Sequence, residues 1–207
     1  TLGGCGSFSF YPTKVLNTAE GGMITTNDKM IFEKSLILRE HGKKDHNFNV
    51  HTELGYNWRF SELHALLGLQ QMKIVEDIIS KRQQIAKIYD KKLNKTNGIT
   101  LVEVPKNIEC SYYKYIVYLS KKYNREVVKN RLKEQYNISL PGEVYAEACH
   151  AQPVFQKYKD LVLNPYDEFH GSDYITSNQI CLPLYPSLST DEVLYIIDSI
   201  KDLLINY

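Results

Sequence analysis

The feature that most constrains this chain is a lysine placed directly after a short alternating strand near the N-terminus. Residues 6–10 read Gly-Ser-Phe-Ser-Phe, and this alternation of aromatic and polar residues is the period of a β-strand with one apolar face. Tyr11-Pro12 ends the strand, because proline has no N–H and restricts the residue before it. Met23–Thr26 is the predicted returning strand. Lys14, on a turn between two buried strands, is placed to lose water and to have its pKa lowered, as a Schiff-base lysine requires.

The segment Phe8-Ser-Phe-Tyr-Pro-Thr-Lys14, followed by Glu20-Gly-Gly-Met23, resembles the lysine segment of the DegT/DnrJ/EryC1/StrS sugar aminotransferases, which are pyridoxal-phosphate enzymes of fold type I. The resemblance implies that Lys14 bonds to the cofactor and shuttles a proton, and that Ser9 hydrogen-bonds the cofactor phosphate. Some relatives have histidine at the lysine position and dehydrate sugars, so the lysine favours aminotransfer. Taken alone, a lysine after an aromatic strand is most often a solvated turn residue; the combined motifs favour catalysis.

A second motif, Gly55-Tyr-Asn-Trp-Arg59, precedes a long helical pattern that is capped by Ser61 and continues to Leu93. It also resembles the family, whose members carry Gly-Tyr-Asn-x-Arg before a long helix. The resemblance implies that Asn57 reaches the cofactor phosphate of the other subunit in a homodimer with a shared active site. It places Arg59 at the active-site mouth, where a guanidinium suits a substrate phosphate or carboxylate. Without the lysine motif, Asn57 reads as a turn residue and Arg59 as an ion that flanks a helix.

A third segment, residues 141–155, is a loop with few apolar positions at any period. It resembles the family's loop in which a tyrosine and a later histidine precede a proline near the substrate entrance. The resemblance therefore implies that Tyr145 and His150 contact substrate. A lone loop histidine is more often structural or exposed to solvent.

The remaining pattern predicts an α/β protein with two domains. The resemblance implies that residues 1–96 are the C-terminal part of the cofactor-binding large domain of fold type I, ending in a long interdomain helix, and the pattern of residues 97–207 predicts a small α/β domain. The elements predicted for the small domain are strands Ile99–Val104, Ser111–Leu119 and Ile138–Leu140, a helix capped by Asn124, and a last helix opened by the capping box Ser189-x-x-Glu192.

Composition excludes several other classes of function. The 207 residues carry a formal net charge of +1, which gives no support to a nucleic-acid or membrane-surface partner. The four cysteines lie far apart without Cys-x-x-Cys spacing, so we expect reduced thiols and no metal site. No apolar run approaches the ~20 residues of a membrane span, and no signal peptide is recognisable, so a cytoplasmic protein is expected.

The resemblance implies a pyridoxal 5'-phosphate-dependent aminotransferase that moves an amino group from a donor amino acid, usually glutamate, to a nucleotide-linked keto sugar, as in polysaccharide biosynthesis. The family's pyridine-binding aspartate, ring-stacking aromatic residue and first phosphate loop precede the lysine segment, and this sequence starts after them. We therefore expect a fragment, a half-enzyme whose N-terminal half is a separate chain, or a decayed remnant. We expect the chain alone neither to form a stable monomer nor to bind cofactor. The alternatives are a deoxysugar dehydratase on the same cofactor and a non-catalytic remnant that binds a partner.

Overall fold

The structure, a computed structural model, describes residues 3–158 and 168–207. The chain divides into two compact units, and the division lies between Asp77 and Ile78 in the sequence. We refer to them as the N-terminal unit and the C-terminal unit. Both contain helices and strands, so the α/β composition predicted from the sequence is confirmed.

The N-terminal unit is a two-stranded antiparallel sheet followed by helices. Strand β1 (Cys5–Ser9) pairs with β2 (Gly22–Thr26), and Phe8 lies opposite Met23. Helix α1 spans Lys29–Arg39, and helix α2 spans Glu62–Met72. Their starts are set locally, because the Asp28 side chain accepts the Met30 and Ile31 N–H groups while Ser61 accepts that of His64.

The strands of this unit are not buried, contrary to the sequence-based expectation. Phe8 is 48% exposed and Met23 45%, and no large hydrophobic side chain among residues 3–77 belongs to the buried set. The physical reason is that a two-stranded sheet leaves both outer edges and most of its faces uncovered. The N-terminal unit therefore presents an apolar surface, to which α2 contributes Leu63, Leu66, Leu67, Leu69 and Met72.

The long helix predicted from Ser61 to Leu93 is wrong, because the chain forms two helices there. Helix α2 ends at Met72 and helix α3 spans Val75–Leu93. Between them the N–H groups of Lys73 and Ile74 bond to carbonyls only three residues back, at 3.2 and 3.1 Å. This tighter turn interrupts the α-helical ladder without any glycine or proline.

Helix α3 also crosses the boundary between the two units. Its buried residues Ile85, Ala86, Tyr89 and Leu93 belong to the core of the C-terminal unit. The boundary therefore lies well before the division after residue 96 that the sequence suggested, since the apolar face of α3 is already part of the second core.

The C-terminal unit is a three-stranded antiparallel sheet packed with helices. The strand order is β3 (Ile99–Leu101), β4 (Tyr115–Leu119) and β5 (Gln179–Leu182), with Ile99 opposite Leu119 and Val117 opposite Ile180. The helices that follow α3 are α4 (Arg125–Tyr136), α5 (Pro153–Lys157), α6 (His170–Asn178) and α7 (Thr190–Ile205), with a 3-10 turn at Cys149–Ala151.

The core of this unit combines the central strand with α7, whose apolar residues repeat on one face of the helix. Buried side chains include Val117 and Leu119 from β4, Ile180 and Leu182 from β5, and Ile197, Ile200 and Leu203 from α7. The predicted capping box is confirmed: Ser189 Oγ accepts the Glu192 N–H at 3.3 Å, and Glu192 Oε2 accepts the Ser189 N–H at 2.8 Å.

The strand predicted at Ile138–Leu140 is wrong. Asn137 adopts a left-handed conformation (φ 55°) that closes α4, and the Ile138 N–H bonds back to the Leu132 carbonyl at 3.0 Å. Ile138 is buried in the core as part of this helix cap. The third strand of the sheet comes instead from Gln179–Leu182.

Candidate active site

The predicted lysine lies in a closed loop between β1 and β2. The Phe10 N–H donates to the Gly21 carbonyl and the Thr18 N–H donates to the Phe10 carbonyl, both at 2.9 Å, so the base of the loop is hydrogen-bonded. The Lys14 N–H donates to the Tyr11 carbonyl at 2.9 Å, which forms a tight turn at Lys14. Lys14 is partly buried. Its predicted position on a turn between two strands is therefore present in the structure.

Thr18, which the sequence analysis did not identify, stabilises the end of this loop before β2. It is 1% exposed in a unit that is otherwise mostly open, and its hydroxyl donates to the Glu20 carbonyl at 2.7 Å. Ala19 beside it has a left-handed backbone (φ 64°), which a residue with a side chain adopts only under constraint. The return of the loop that carries Lys14 is thus stabilised by its own side chains and backbone.

Ser9 ends β1, five residues before the lysine. Its Oγ accepts the Tyr11 N–H at 3.4 Å, and the residue is exposed. A hydroxyl that accepts one hydrogen bond can still donate its own hydrogen. Ser9 and Lys14 are therefore presented by one hairpin, as the motif predicted.

Asn57 and Arg59 are positioned by a close approach of two glycines. A Cβ on Gly42 (φ 78°) would lie 1.8 Å from the Glu53 carbonyl oxygen, and a Cβ on Gly55 would lie 2.0 Å from the Gly42 nitrogen. Because neither residue has a side chain, the segment after α1 contacts the segment that carries the second motif.

Backbone hydrogen bonds then align the two segments. The Tyr56 N–H donates to the Leu38 carbonyl at 2.7 Å, the Trp58 N–H donates to the Arg39 carbonyl at 3.0 Å, and Glu40 forms an isolated antiparallel bridge with Asn57. This contact places the second motif against the C-terminal end of α1.

A buried carboxylate that no sequence motif identifies contacts this second motif. Glu40 is 6% exposed, and its Oε1 accepts from Arg59 Nη1 at 3.1 Å and lies 3.8 Å from Lys43 Nζ. Arg59 Nε donates to Asn57 Oδ1 at 3.2 Å. Arg59 is thus bound on two of its nitrogens by the chain itself. In the sequence, Glu40 is one more polar residue at the end of an amphipathic helix, so only the fold reveals its role.

Tyr145 and His150 belong to the C-terminal unit. Tyr145 is 71% exposed, and its carbonyl accepts from Gln179 Nε2 at 2.7 Å. His150 Nε2 lies 2.9 Å from Asp173 Oδ1, and the Phe169 ring stacks on the imidazole with 4.5 Å between ring centroids. His150 is therefore oriented by two partners that the sequence reading missed, because both come from the region of α6, far along the chain.

Within residues 3–158 and 168–207, no three His, Cys, Asp or Glu side chains come together in a way that could hold a metal ion. In that part of the chain, no helix has the length and hydropathy needed to cross a bilayer.

The donor set of the N-terminal unit fits a phosphorylated aldehyde. Such a cofactor requires an amine for its carbonyl group, together with hydroxyl and N–H donors for its phosphate. In such a site Lys14 would supply the amine, Ser9 the hydroxyl, and Asn57 a carboxamide whose oxygen accepts from Arg59 Nε, so that its amide N–H groups would be the donors to an anion.

Comparison with known proteins identifies the family to which the chain belongs. A sequence model of the DegT/DnrJ/EryC1/StrS aminotransferase family matches residues 1–201. The chain is 30% identical over 205 residues to the GDP-perosamine synthase of Escherichia coli O157:H7, covering 98% of this chain and 52% of that protein. It is 31% identical over 199 residues to the dTDP-4-amino-4,6-dideoxy-D-glucose transaminase of Shigella dysenteriae, covering 94% and 51%.

The fold matches that of a solved relative over the same extent. A DegT DnrJ EryC1 StrS aminotransferase from Brucella abortus superimposes with a TM-score of 0.83 at 26% identity, covering 97% of this chain and 51% of that one. The chain thus spans about half the length of the relatives it matches. With the lysine motif, the Gly-Tyr-Asn-x-Arg motif and the fold in agreement, the chain belongs to the DegT/DnrJ/EryC1/StrS aminotransferase family.

Proposed function

We propose that this chain is the C-terminal part of a pyridoxal-phosphate-dependent aminotransferase of fold type I that acts on a nucleotide-linked keto sugar. The observation that carries the proposal is Lys14, held on a closed loop of the unit that also holds Ser9 and Asn57. Relatives named as a perosamine synthase and a dideoxyglucose transaminase support a sugar substrate. Glutamate is the proposed amino donor.

In this proposal each side chain of the N-terminal unit has a defined task. The Lys14 amine holds the cofactor and moves a proton at its Nζ, and the turn at Tyr11 sets the backbone position from which that side chain extends. The Ser9 hydroxyl and the Asn57 amide N–H groups bind the phosphate, with Asn57 acting across a homodimer interface in a shared active site. When bound, pyridoxal phosphate supplies the carbonyl that accepts an amine and the ring that takes up electrons.

Three further residues are proposed to contact substrate. Arg59 donates through Nε and Nη1 to Asn57 and Glu40, so Nη2 is the nitrogen we assign to a substrate phosphate or carboxylate. Tyr145 is exposed and would be accessible to a substrate. His150 is oriented by Asp173, and in this proposal its imidazole ring faces the substrate.

The activity requires a carboxylate against the pyridine nitrogen, which we propose comes from polypeptide corresponding to the N-terminal half of the relatives. That polypeptide is either continuous with this chain in a longer protein or a separate N-terminal half chain. The exposed apolar residues of β1, β2 and α2 support this proposal, because such a surface calls for a covering partner. We propose the cytoplasm as the site of the reaction, where the four free cysteines would remain reduced.

The test is replacement of Lys14 in the complete enzyme. Lys14→Ala and Lys14→Arg should lower the rate of transamination by ~10²–10⁴-fold, because neither side chain can hold the cofactor and move the proton. Lys44→Ala, at an exposed lysine of the segment that follows α1, is the matched control and should keep full turnover.

Two readouts accompany the rate. Borohydride reduction followed by peptide mass spectrometry should place a pyridoxyl group on the peptide that contains Lys14. An amino sugar should form only when glutamate is supplied, which distinguishes aminotransfer from dehydration. A Lys14→Ala enzyme that keeps most of its turnover, or a pyridoxyl label on another lysine, would overturn the proposal.

A further inference from the structure

We propose that Glu40 is a positioning residue, which acts through Arg59 to hold the Asn57 carboxamide with its N–H groups turned toward the cofactor phosphate. The inference rests on the proposed function of Asn57 and extends it to a residue outside both sequence motifs. It is carried by one continuous chain of contacts, from Glu40 Oε1 to Arg59 Nη1 at 3.1 Å and from Arg59 Nε to Asn57 Oδ1 at 3.2 Å.

The chemistry of the guanidinium decides how the amide is oriented. Arginine has donors only, so the end of Asn57 that faces Arg59 Nε must be the carbonyl oxygen. The amide nitrogen, which carries two donors, is then directed away from Arg59. Rotation of the carboxamide by half a turn would instead present an oxygen to a phosphate, and two acceptors repel each other.

Glu40 is suited to anchor this arrangement because it is itself fixed. It caps the C-terminal end of α1, its backbone bridges to Asn57, and its side chain is 8% exposed. The backbones at Gly42 and Gly55 lie so close together that no side chain fits between the two segments.

The charges of the cluster favour an anion beside Asn57. The Glu40 carboxylate lies within 4 Å of two cations, Arg59 at 3.1 Å and Lys43 at 3.8 Å. One negative charge against two positive charges leaves a net charge of +1. Burial makes the carboxylate dependent on these partners, so removing its charge should release Arg59.

The test is a double-mutant cycle on cofactor affinity in the complete enzyme. Glu40→Gln keeps the shape of the side chain but removes its charge, and it should weaken pyridoxal-phosphate binding by about 10-fold, the scale on which residues that orient a ligand-binding group act. Asn57→Ala should weaken binding at least as much. In the Asn57→Ala background, Glu40→Gln should have less than about a 2-fold further effect, because the group that it positions is gone.

Two variants provide the comparison. Arg59→Lys keeps the charge but cannot bond Glu40 and Asn57 together, so it should resemble Glu40→Gln. Glu53→Gln alters an exposed carboxylate paired with Lys34, and it should leave affinity unchanged. An effect of Glu40→Gln that persists undiminished in the Asn57→Ala background would show that Glu40 acts through the fold as a whole and would overturn the inference.

A measurement without cofactor separates this inference from the proposed function. In the complete protein, the Asn57 side-chain amide should be rigid by ¹⁵N relaxation, with an order parameter of about 0.8, and should fall below about 0.6 in Glu40→Gln. An Asn57 amide that is equally mobile in both proteins would contradict the inference even if Lys14 is labelled. Absence of label at Lys14, with the amide ordered by Glu40, would overturn the proposed function alone.

Discussion

Two carboxylates that lie mostly out of water, Glu40 and Glu143, each hold a different part of this chain in place. Glu40 binds Arg59 in the N-terminal unit, and Glu143 binds Lys129 Nζ at 2.7 Å in the C-terminal unit, with Arg125 Nε at 4.0 Å. Burial by itself raises the pKa of Glu143. The hydrogen bonds from Lys129 and from its own backbone N–H, together with the charges of Lys129 and Arg125, outweigh burial and hold the pKa below its ordinary value.

The lowered pKa of Glu143 makes part of the stability of the C-terminal unit depend on pH. The folded state binds this proton less tightly than the unfolded state, so the contribution is fully present above the ordinary glutamate pKa of ~4.3 and is lost as pH falls through the folded-state pKa. Glu143→Gln should therefore be less stable than wild type at pH 7 and should converge with it near pH 3. Urea unfolding of the full chain, followed by far-UV circular dichroism from pH 3 to 7, measures this difference.

The matched control for that experiment is Glu134→Gln, which changes an exposed glutamate of α4. It should be within about 0.5 kcal/mol of wild type across the range. A constant stability difference between Glu143→Gln and wild type at every pH would show that the Lys129 pair does not carry the effect.

At the scale of elements, the loop between β1 and β2 and the segment between α1 and α2 carry the candidate site, and neither is a helix or strand. Each is held by contacts at its base: Phe10 with Gly21 and Thr18 in the first, and the Gly42–Gly55 approach in the second. Functional side chains on loops gain precision when the ends of the loop are fixed. The conformation of these two segments is therefore part of the proposed catalytic apparatus.

Thr18 allows the loop to be tested directly. Thr18→Val removes the hydrogen bond to the Glu20 carbonyl at nearly constant volume, and it should lower the local opening free energy by about 1 kcal/mol. In the complete enzyme, amide exchange of residues 10–21 should then be about 5-fold faster, and turnover should fall with it. Thr18→Ser keeps the hydroxyl and should retain slow exchange. Equal exchange in the two variants would mean that the hydroxyl does not hold the loop.

At the scale of the whole molecule, the two units differ in how much apolar surface they bury. The described buried hydrophobic side chains belong to the C-terminal unit, whereas large hydrophobic residues of β1, β2, α1 and α2 are exposed. A unit with a buried core, such as the C-terminal unit, can be stable by itself, but an uncovered two-stranded sheet cannot.

We expect hydrogen exchange of the full chain alone to reflect this difference. Amides of β4 and α7 should exchange slowest, those of β1 and β2 should exchange close to the unprotected rate, and a hydrophobic dye should bind. Addition of a polypeptide equivalent to the N-terminal half of the relatives should protect β1 and β2 and suppress dye binding. Amides of β1 as slow as those of β4 in a monomer of the chain alone would contradict this prediction.

The sequence by itself determined the features that depend on a few neighbouring residues. Ser61 and Asn124 cap helices that begin where predicted, Ser189 forms its capping box, and Lys14 lies on its turn. Such contacts span only two to four residues, so the residue types and their spacing are sufficient to identify them. The family resemblance likewise needed only two short motifs.

Only the tertiary structure decided the features whose partners are distant in the chain. The transfer of α3 into the second core and the strand at Gln179–Leu182 depend on what each segment packs against. The Glu40–Arg59–Asn57 contacts and the His150–Asp173 pair join residues up to 23 positions apart. In the sequence, a polar residue on a solvated face cannot be distinguished from one that is buried beneath a functional loop. The two differ only in burial and in a partner that the fold brings near.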